Sequence, residues 1–280
     1  MWTPADLADI PLADGSVALL WLGQAGFTLR GGGVTVLLDP FIAAHPDRLR
    51  PPPFQPAQAR GVDLVLCTHE HLDHLDSDAL PGIAAASPEA RFVVPRPIVD
   101  QVVRLGIAAE RVLDAQPDEP LRLGAVTVHP VPACHGVDVA DAYTFGQELS
   151  GGLYRYLGFV VEVGGVRVYH AGDTIHYDGM VERLRALRPQ VALLPINGRD
   201  AAREARNIVG NLDHREAANV ADAIGAELLV PMHYDMFAYN LGFPAHLVDV
   251  VGREHPALSV LVPGLARPFV WSGVATGTPG

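Results

Sequence analysis

The sequence contains no lysine, so all 20 of its basic residues are arginine. Schiff-base catalysis requires a lysine amine, which excludes pyridoxal phosphate enzymes and lysine-dependent aldolases. A nucleotide-binding P-loop also requires a lysine and is excluded. The 32 acidic residues give a formal net charge of −12, and an acidic surface disfavours binding along a nucleic-acid backbone. We therefore expect neither covalent amine chemistry nor a nucleic-acid partner.

Apolar runs and cysteines are also scarce. No apolar run approaches the ~20 residues that span a bilayer, and the first residues lack the basic and apolar stretches of a signal peptide. The two cysteines, Cys67 and Cys134, are expected to be reduced and to pack as small buried residues. We expect a cytoplasmic protein with no membrane partner. A hydrophobic fraction of 49% favours a single domain over residues 1–280.

The hydrophobic pattern alternates between strands and helices. Strands are predicted at residues 16–22, 27–30, 34–38, 62–68, 91–94, 125–131, 159–163, 166–169, 191–194 and 228–230. Helices are predicted at residues 78–86, 98–105, 180–187, 214–224 and near 246–251. Asp213 and Glu216 form a capping-box pattern at the start of the fourth helix.

Two predicted hairpins resemble each other. Residues 26–39 begin with Gly-Phe, turn at glycines and end at Asp39, and residues 158–173 follow the same pattern and end at Asp173. Glycines suit the positive φ angles of tight hairpin turns. The two hairpins lie about half a chain apart, so we interpret them as parts of two similar β-rich halves that form one sandwich.

The strongest chemical signal follows the predicted buried strand at residues 62–68. Three histidines and an aspartate lie within six residues: His69, His71, Asp73 and His74. In an extended chain the first three would point to one side, whereas a turn would divide the four between two neighbouring ions. Neutral imidazoles and a carboxylate suit Zn²⁺, and also Mn²⁺ or iron. The pattern therefore predicts a metal site.

This arrangement resembles the metallo-β-lactamase superfamily, whose pattern continues at three later positions. His135, Asp173 and His233 each follow a predicted strand, in the order that the family has. The resemblance implies an α/β fold, namely an αββα sandwich of two mixed sheets flanked by helices, with the metals at one edge. It also implies two divalent ions, zinc or manganese with iron as a third candidate. By that pattern the first ion is bound by His69, His71 and His135, the second by Asp73, His74 and His233, and Asp173 bridges both.

Two metal ions with a bridging water favour hydrolysis, because they supply hydroxide near neutral pH and polarise a carbonyl or phosphoryl oxygen. Asp73 is the predicted catalytic residue that orients or deprotonates this water. Residues 21–27 and 231–237 resemble the branch that contains the ascorbate-6-phosphate lactonases. That resemblance implies opening of a lactone or similar ester of a small polar substrate, with a phosphorylated sugar acid as one candidate.

Three functions other than a lactonase are alternatives for this sequence. The alternative is a phosphodiesterase or nuclease-type hydrolase of the same superfamily, which the negative charge disfavours for long nucleic acids. A metal-binding protein without catalysis is disfavoured by the complete ligand set. A flavoprotein electron carrier would need a second domain, for which 280 residues leave no room. A homo-oligomer is compatible with the sequence.

Five residues are candidates for contacts with the substrate: His170, His176, Arg199, Arg203 and Tyr143. The two histidines flank Asp173. The two arginines, with Arg206, have spacings of four and three residues, so they could share a helix face and bind an anionic group through bidentate contacts. The alternative is a solvated helix face on which these arginines alternate with Asp200 and Glu204.

A glycine-rich segment, residues 136–155, follows the predicted ligand His135. We expect a loop at the edge of the site, with Tyr143 and Phe145 as lid candidates. A surface loop away from the site is the alternative. Arg155 is a further cationic candidate for the substrate.

Overall fold

The computed structural model describes residues 1–273 and places fourteen strands in that range. The strands are β1 (Ser16–Gly23), β2 (Gly26–Gly31), β3 (Val34–Leu38), β4 (Leu64–Leu66), β5 (Arg91–Pro95), β6 (Val112–Ala115), β7 (Leu121–Leu123), β8 (Val126–Pro132), β9 (Leu157–Val163), β10 (Val166–His170), β11 (Val191–Pro195), β12 (Leu228–Met232), β13 (Ser259–Val260) and β14 (Pro268–Ser272). The α-helices are α1 (Leu80–Ala86), α2 (Val99–Arg104), α3 (Met180–Leu187), α4 (Ala201–Glu204), α5 (His214–Ala223) and α6 (Pro244–Glu254). Short 3₁₀ helices lie at Ala5–Asp9, Pro56–Gln58, Arg96–Ile98, Ala109–Arg111 and Glu148–Ser150.

The strands form two mixed sheets of seven strands each. Their orders are β14-β1-β2-β3-β4-β5-β6 and β13-β12-β11-β10-β9-β8-β7. In the first sheet, neighbouring strands pair antiparallel from β14 to β3 and parallel from β3 to β6. In the second sheet, they pair antiparallel from β7 to β10 and parallel from β10 to β13. The hairpins β2–β3 and β9–β10 occupy equivalent positions. The two halves therefore share one topology, as the two similar hairpins predict.

Both faces of the central strands are buried. In β1, Leu19 packs in the large core between the sheets, whereas Leu20 packs in a second core with α1 and α2. The other sheet is covered by α3, α5 and α6, whose apolar residues join the large core. Burial on two faces explains why these strands read as continuous apolar runs. The αββα sandwich expected from the sequence is confirmed.

Four strands were not predicted from the sequence: β6, β7, β13 and β14. Polar side chains such as Asp114 in β6 and Arg122 in β7 interrupt their apolar patterns. All four lie at or next to a sheet edge, where one partner strand is missing and burial is incomplete. The predicted strand at residues 62–68 shortens to β4 (Leu64–Leu66). Within residues 1–273, no helix has the length and apolar character needed to cross a bilayer.

The fold brings four loops to one edge of the sandwich. They follow β4, β8, β10 and β12, and they carry the predicted metal ligands. The capping box at the start of α5 is confirmed, because Asp213 accepts hydrogen bonds from the backbone N–H groups of Arg215 and Glu216. This cap fixes the N-terminal end of α5, which lies next to the segment that leads into α4.

Candidate metal centre

Three histidines converge from the loops after β4 and β8. The Nε2 atom of His69 lies 2.9 Å from Nδ1 of His71, and Nε2 of His135 lies 3.2 Å from the same nitrogen. One nitrogen of each residue falls within 4.8 Å of the others. The three residues expected to bind the first ion are therefore adjacent.

A second group lies beside the first. His233, from the loop after β12, places its Nε2 atom 3.3 Å from Oδ2 of Asp73. His74 and His233 are buried, whereas the side chain of Asp73 retains 18% exposure and reaches the solvent side. Asp73, His74 and His233 also present ligand atoms within 4.8 Å of one another. They are the three residues expected to bind the second ion.

The carboxylate of Asp173 lies between the two groups. Its Oδ1 atom is 3.2 Å from Nε2 of His74, and its Oδ2 atom is 3.1 Å from Nε2 of His233 and 3.6 Å from Nε2 of His135. Asp173 follows β10, so it connects the ligands of the two sheets. The structure thus brings all seven predicted ligands into one cluster.

Burial and charge set the protonation of these groups. Burial lowers the pKa of His69, aided by the neighbouring imidazoles, and lowers the pKa of His135 to about 3. Burial opposes ionisation of Asp73, but His74 and His233 hold the pKa of that carboxyl below its usual value. His69 and His135 are therefore neutral at neutral pH, and the carboxylate of Asp73 is ionised.

The surroundings of His74 and His233 favour a positive charge on each imidazole. Burial opposes a charged imidazole, but Asp173 and the other nearby carboxylates raise the pKa of both rings, that of His233 to about 9. Both Nε2 of His74 and Oδ1 of Asp173 are buried without a hydrogen bond in the described chain. A divalent cation would satisfy these two atoms, and the nitrogen and carboxylate donor set suits zinc, manganese or iron. The residues therefore fit a metal.

Two outer contacts orient the ligands. Nδ1 of His74 lies 2.6 Å from Oδ2 of Asp39, a wholly buried carboxylate that also accepts from the hydroxyl and backbone N–H of Thr68. Nε2 of His71 lies 3.1 Å from the carbonyl oxygen of Val137, so this nitrogen carries the proton and Nδ1 is free to bind a metal. Asp39 was not predicted as a site residue, although its place at the end of the first hairpin matches that of Asp173.

Gln24 is a further site residue that sequence reasoning missed. Its side-chain amide donates to Oδ2 of Asp73 at 2.7 Å and lies 3.0 Å from Nε2 of His233. Gln24 occupies the tight turn between β1 and β2 with φ of +52°, and Asp235 accepts a hydrogen bond from its backbone N–H. The polar residue in an otherwise small and apolar turn was the available signal.

The two predicted substrate histidines lie outside the cavity. His170 is wholly buried, donates through Nε2 to the carbonyl oxygen of Ala25 at 2.7 Å, and accepts through Nδ1 from the backbone of Gly172. Both ring nitrogens therefore have partners within the protein, and the structure does not place this predicted substrate residue at the cavity. His176 is exposed beyond Asp173 and faces Glu216.

The predicted arginine clamp is also not formed. Arg199 makes a bidentate ion pair with Glu216, with two N–O distances of 2.6 Å. Arg203 donates to Asp200 at 2.7 Å and to the carbonyl oxygen of Asn197. Because α4 is a single turn, it does not align Arg199, Arg203 and Arg206 on one face. The alternative interpretation, arginines paired with acidic residues of the same segment, holds for Arg203 and Asp200, whereas Arg199 pairs with Glu216 of α5.

The loop at residues 136–155 borders the site through Val137. The hydroxyl of Tyr143 donates to Glu204 at 2.5 Å, and Phe145 packs between Tyr154 and Tyr177. Neither Tyr143 nor Phe145 lines the cavity above the histidines, so the structure does not bring these two lid candidates, or Tyr143 as a substrate contact, to that cavity. Arg155 pairs with Glu70 at 2.5 Å. Cys67 and Cys134 are free and buried, as expected.

A cavity of about 230 Å³ opens above the ligand cluster. Its floor includes His71, Asp73, His135, Asp173 and His233. Its walls are formed by His45, Leu72, Val137, Asn207, Ile208, Val209, Phe237, Tyr239 and Asn240. Its position over all of these ligands makes it the candidate substrate site. No motif identified the wall residues, because they come from five separate loops.

Comparison with known proteins agrees with this architecture. Residues 34–234 match the family model described as "Beta-lactamase superfamily domain". A UPF0173 metal-dependent hydrolase of Aeropyrum pernix is 32% identical over 266 residues, which cover 91% of this chain and 98% of that protein. A UPF0173 metal-dependent hydrolase of Methanoculleus marisnigri is 35% identical over 225 residues, or 78% and 81% of the two chains.

Solved structures share the fold at low sequence identity. Igni18, a metallo hydrolase from Ignicoccus hospitalis, has a TM-score of 0.69 and 23% identity, covering 92% of this chain and 100% of that one. An isothiocyanate hydrolase from Delia radicum gut bacteria has a TM-score of 0.72 and 18% identity, covering 91% of this chain and 99% of that one. On the family match, the two close relatives and the shared fold, this chain belongs to the metallo-β-lactamase superfamily and, within it, to the UPF0173 metal-dependent hydrolases.

Proposed function

We propose that this chain is a dinuclear metal-dependent hydrolase that opens a lactone or a similar carboxylic ester. The observation that supports it best is the position of Asp173, whose two oxygens lie 3.1–3.6 Å from histidines of both ligand groups. A carboxylate placed in this way suits two neighbouring ions. When bound, such ions lower the pKa of a coordinated water and polarise an ester carbonyl.

The chain's own residues supply the proton path and the position of the substrate. Asp73 is ionised and faces the cavity, while Gln24 fixes its Oδ2 atom. The water oxygen attacks the ester carbonyl carbon, Asp73 accepts the water proton, and the carbon–oxygen bond to the leaving alkoxide breaks. Asp73 then returns the proton to that alkoxide, so the product is a hydroxy acid.

The test uses metal-loaded protein and three substrates: a simple lactone, a phosphorylated sugar lactone and a bis-aryl phosphate diester. We expect lactone hydrolysis, which Asp73→Asn lowers on the order of 10³-fold with an unchanged circular dichroism spectrum. Asp63→Asn is the matched control, because Asp63 accepts a backbone hydrogen bond from Thr35 away from the cluster. Turnover of the diester alone would overturn the proposal in favour of a phosphodiesterase.

The metal, the cellular location and the partner also belong to this proposal. Zinc and manganese suit the donor set equally, and iron is a third candidate. We infer a cytoplasmic enzyme that acts on a small molecule and binds neither nucleic acid nor membrane. Reconstitution with each metal in turn, followed by the same lactone assay, ranks the three ions.

A further inference from the structure

The walls of the cavity differ in character from its floor. Leu72, Val137, Ile208, Val209 and Phe237 contribute apolar side chains. The aromatic ring of Tyr239 completes this wall and is 39% exposed at the rim. A wall of apolar side chains directly above polar ligands, partly exposed at Leu72, Val137 and Tyr239, is suited to a ligand that is apolar at one end.

The side-chain oxygens of the two asparagines in the wall are already engaged. The side-chain oxygen of Asn207 accepts a hydrogen bond from the backbone of Val139 at 2.9 Å. The side-chain oxygen of Asn240 accepts from Asn197 and from Arg203, both at 2.9 Å. These contacts hold the loops of the wall together and leave their side-chain oxygens committed to the protein.

A cationic contact for a phosphate is missing from the wall. Among the described residues, no arginine lines this cavity, and the sequence contains no lysine. The guanidinium of Arg206 lies 5.5 Å from the ring centroid of Tyr239, but Arg206 is not itself a lining residue. The net charge of −12 also disfavours the approach of a multiply charged anion.

We propose that the substrate carries an uncharged apolar group next to the ester, bound against Tyr239 and Phe237, and not a phosphate. This inference rests on the proposed hydrolase function and names its substrate class. The cavity volume of about 230 Å³ limits this group to a short alkyl chain or a single ring. His45, which borders the cavity and packs edge-on against Phe237 at 6.0 Å, closes the same wall.

The experiment compares γ-butyrolactone, γ-nonalactone and a phosphorylated gluconolactone with metal-loaded protein. We expect kcat/KM for γ-nonalactone to exceed that for γ-butyrolactone by about 10- to 100-fold, because its alkyl tail is removed from water. Tyr239→Ala removes about tenfold of that preference. Tyr239→Phe keeps the preference, and Phe243→Ala, an exposed aromatic outside this cavity, leaves both rates unchanged.

Two outcomes overturn the inference while preserving the hydrolase function. One is a higher kcat/KM for the phosphorylated lactone than for γ-nonalactone, and the other is an equal loss on all lactones in Tyr239→Ala. An Arg206→Gln variant that loses only the phosphorylated substrate would identify an anion site instead. If no lactone is hydrolysed, the proposed function fails, and calorimetry of 4-hydroxynonanoate against 6-phosphogluconate decides the inference separately. Binding of the alkyl acid at least about tenfold more tightly supports it, and the reverse order contradicts it.

Discussion

Asp39 and Asp173 end equivalent hairpins but occupy different positions in the site. Asp173 lies among the ligand atoms, whereas Asp39 lies behind His74 and contacts its far nitrogen at 2.6 Å. A carboxylate behind an imidazole fixes its orientation and raises its basicity toward a metal. Asp39 is therefore a positioning residue for the metal centre.

Replacing Asp39 should weaken metal binding without removing a ligand. We expect Asp39→Asn to raise the metal dissociation constant about 10- to 100-fold, measured by competition with a chromogenic chelator. Asp63→Asn, which lies just before β4 and accepts a hydrogen bond from the backbone of Thr35 away from the cluster, should leave the constant unchanged. An unchanged constant in a folded Asp39→Asn protein would show that Asp39 serves the fold alone.

Protons on His74 and His233 should compete with the metal. Nearby carboxylates raise the pKa of both imidazoles, that of His233 to about 9, so at neutral pH a metal must displace a proton from each. We expect release of on the order of two protons per chain on metal loading, measured in a weakly buffered solution with a pH indicator. The apparent affinity should rise as pH increases toward 9. Loading without proton release would contradict these pKa directions.

The metal ligands could be predicted because their signal is local, whereas their supports could not. His69, His71 and Asp73 lie in one short stretch, and each later ligand directly follows a strand. Asp39, Gln24 and His45 reach the site only through long-range packing. The same reason explains the error at Arg199, whose partner Glu216 lies on α5, outside the segment that suggested a clamp.

The turns of the two central hairpins meet between the sheets. Gly164 has φ of +59°, and a Cβ atom there would lie 2.8 Å from the carbonyl oxygen of Ser16 and 3.0 Å from Cα of Gly31. Backbone atoms cannot move aside as a flexible side chain can. This close approach fixes how the two similar halves pack.

Gly164→Ala should therefore destabilise the fold more than a Gly→Ala substitution that only introduces strain at a positive φ. Gly33→Ala is the matched control, because Gly33 also has a positive φ of +82° but has open space at its Cβ position. We expect the free energy of unfolding to fall by about 1–2 kcal/mol in the control and by at least about 2 kcal/mol more in Gly164→Ala, measured by urea denaturation. Equal losses would show that the halves tolerate a wider separation.

The whole molecule combines an acidic surface with arginines that serve structure. Arg155, Arg199 and Arg203 all pair with carboxylates, so three of the four arginines suggested by the sequence are engaged in ion pairs within the protein. The positive charge required by Asp73 and Asp173 must come from bound metal or from histidine protons. The seven-residue cluster joins loops of both sheets, so metal binding is coupled to the stability of the whole fold.

Metal content is the most direct test of this account. Protein stripped of metal, reloaded with zinc or manganese and freed of excess ion should retain about two ions per chain by inductively coupled plasma mass spectrometry. A folded protein that retains no transition metal under any loading condition would contradict the central claim. A single tightly retained ion would contradict the dinuclear site while leaving a metal-dependent hydrolase.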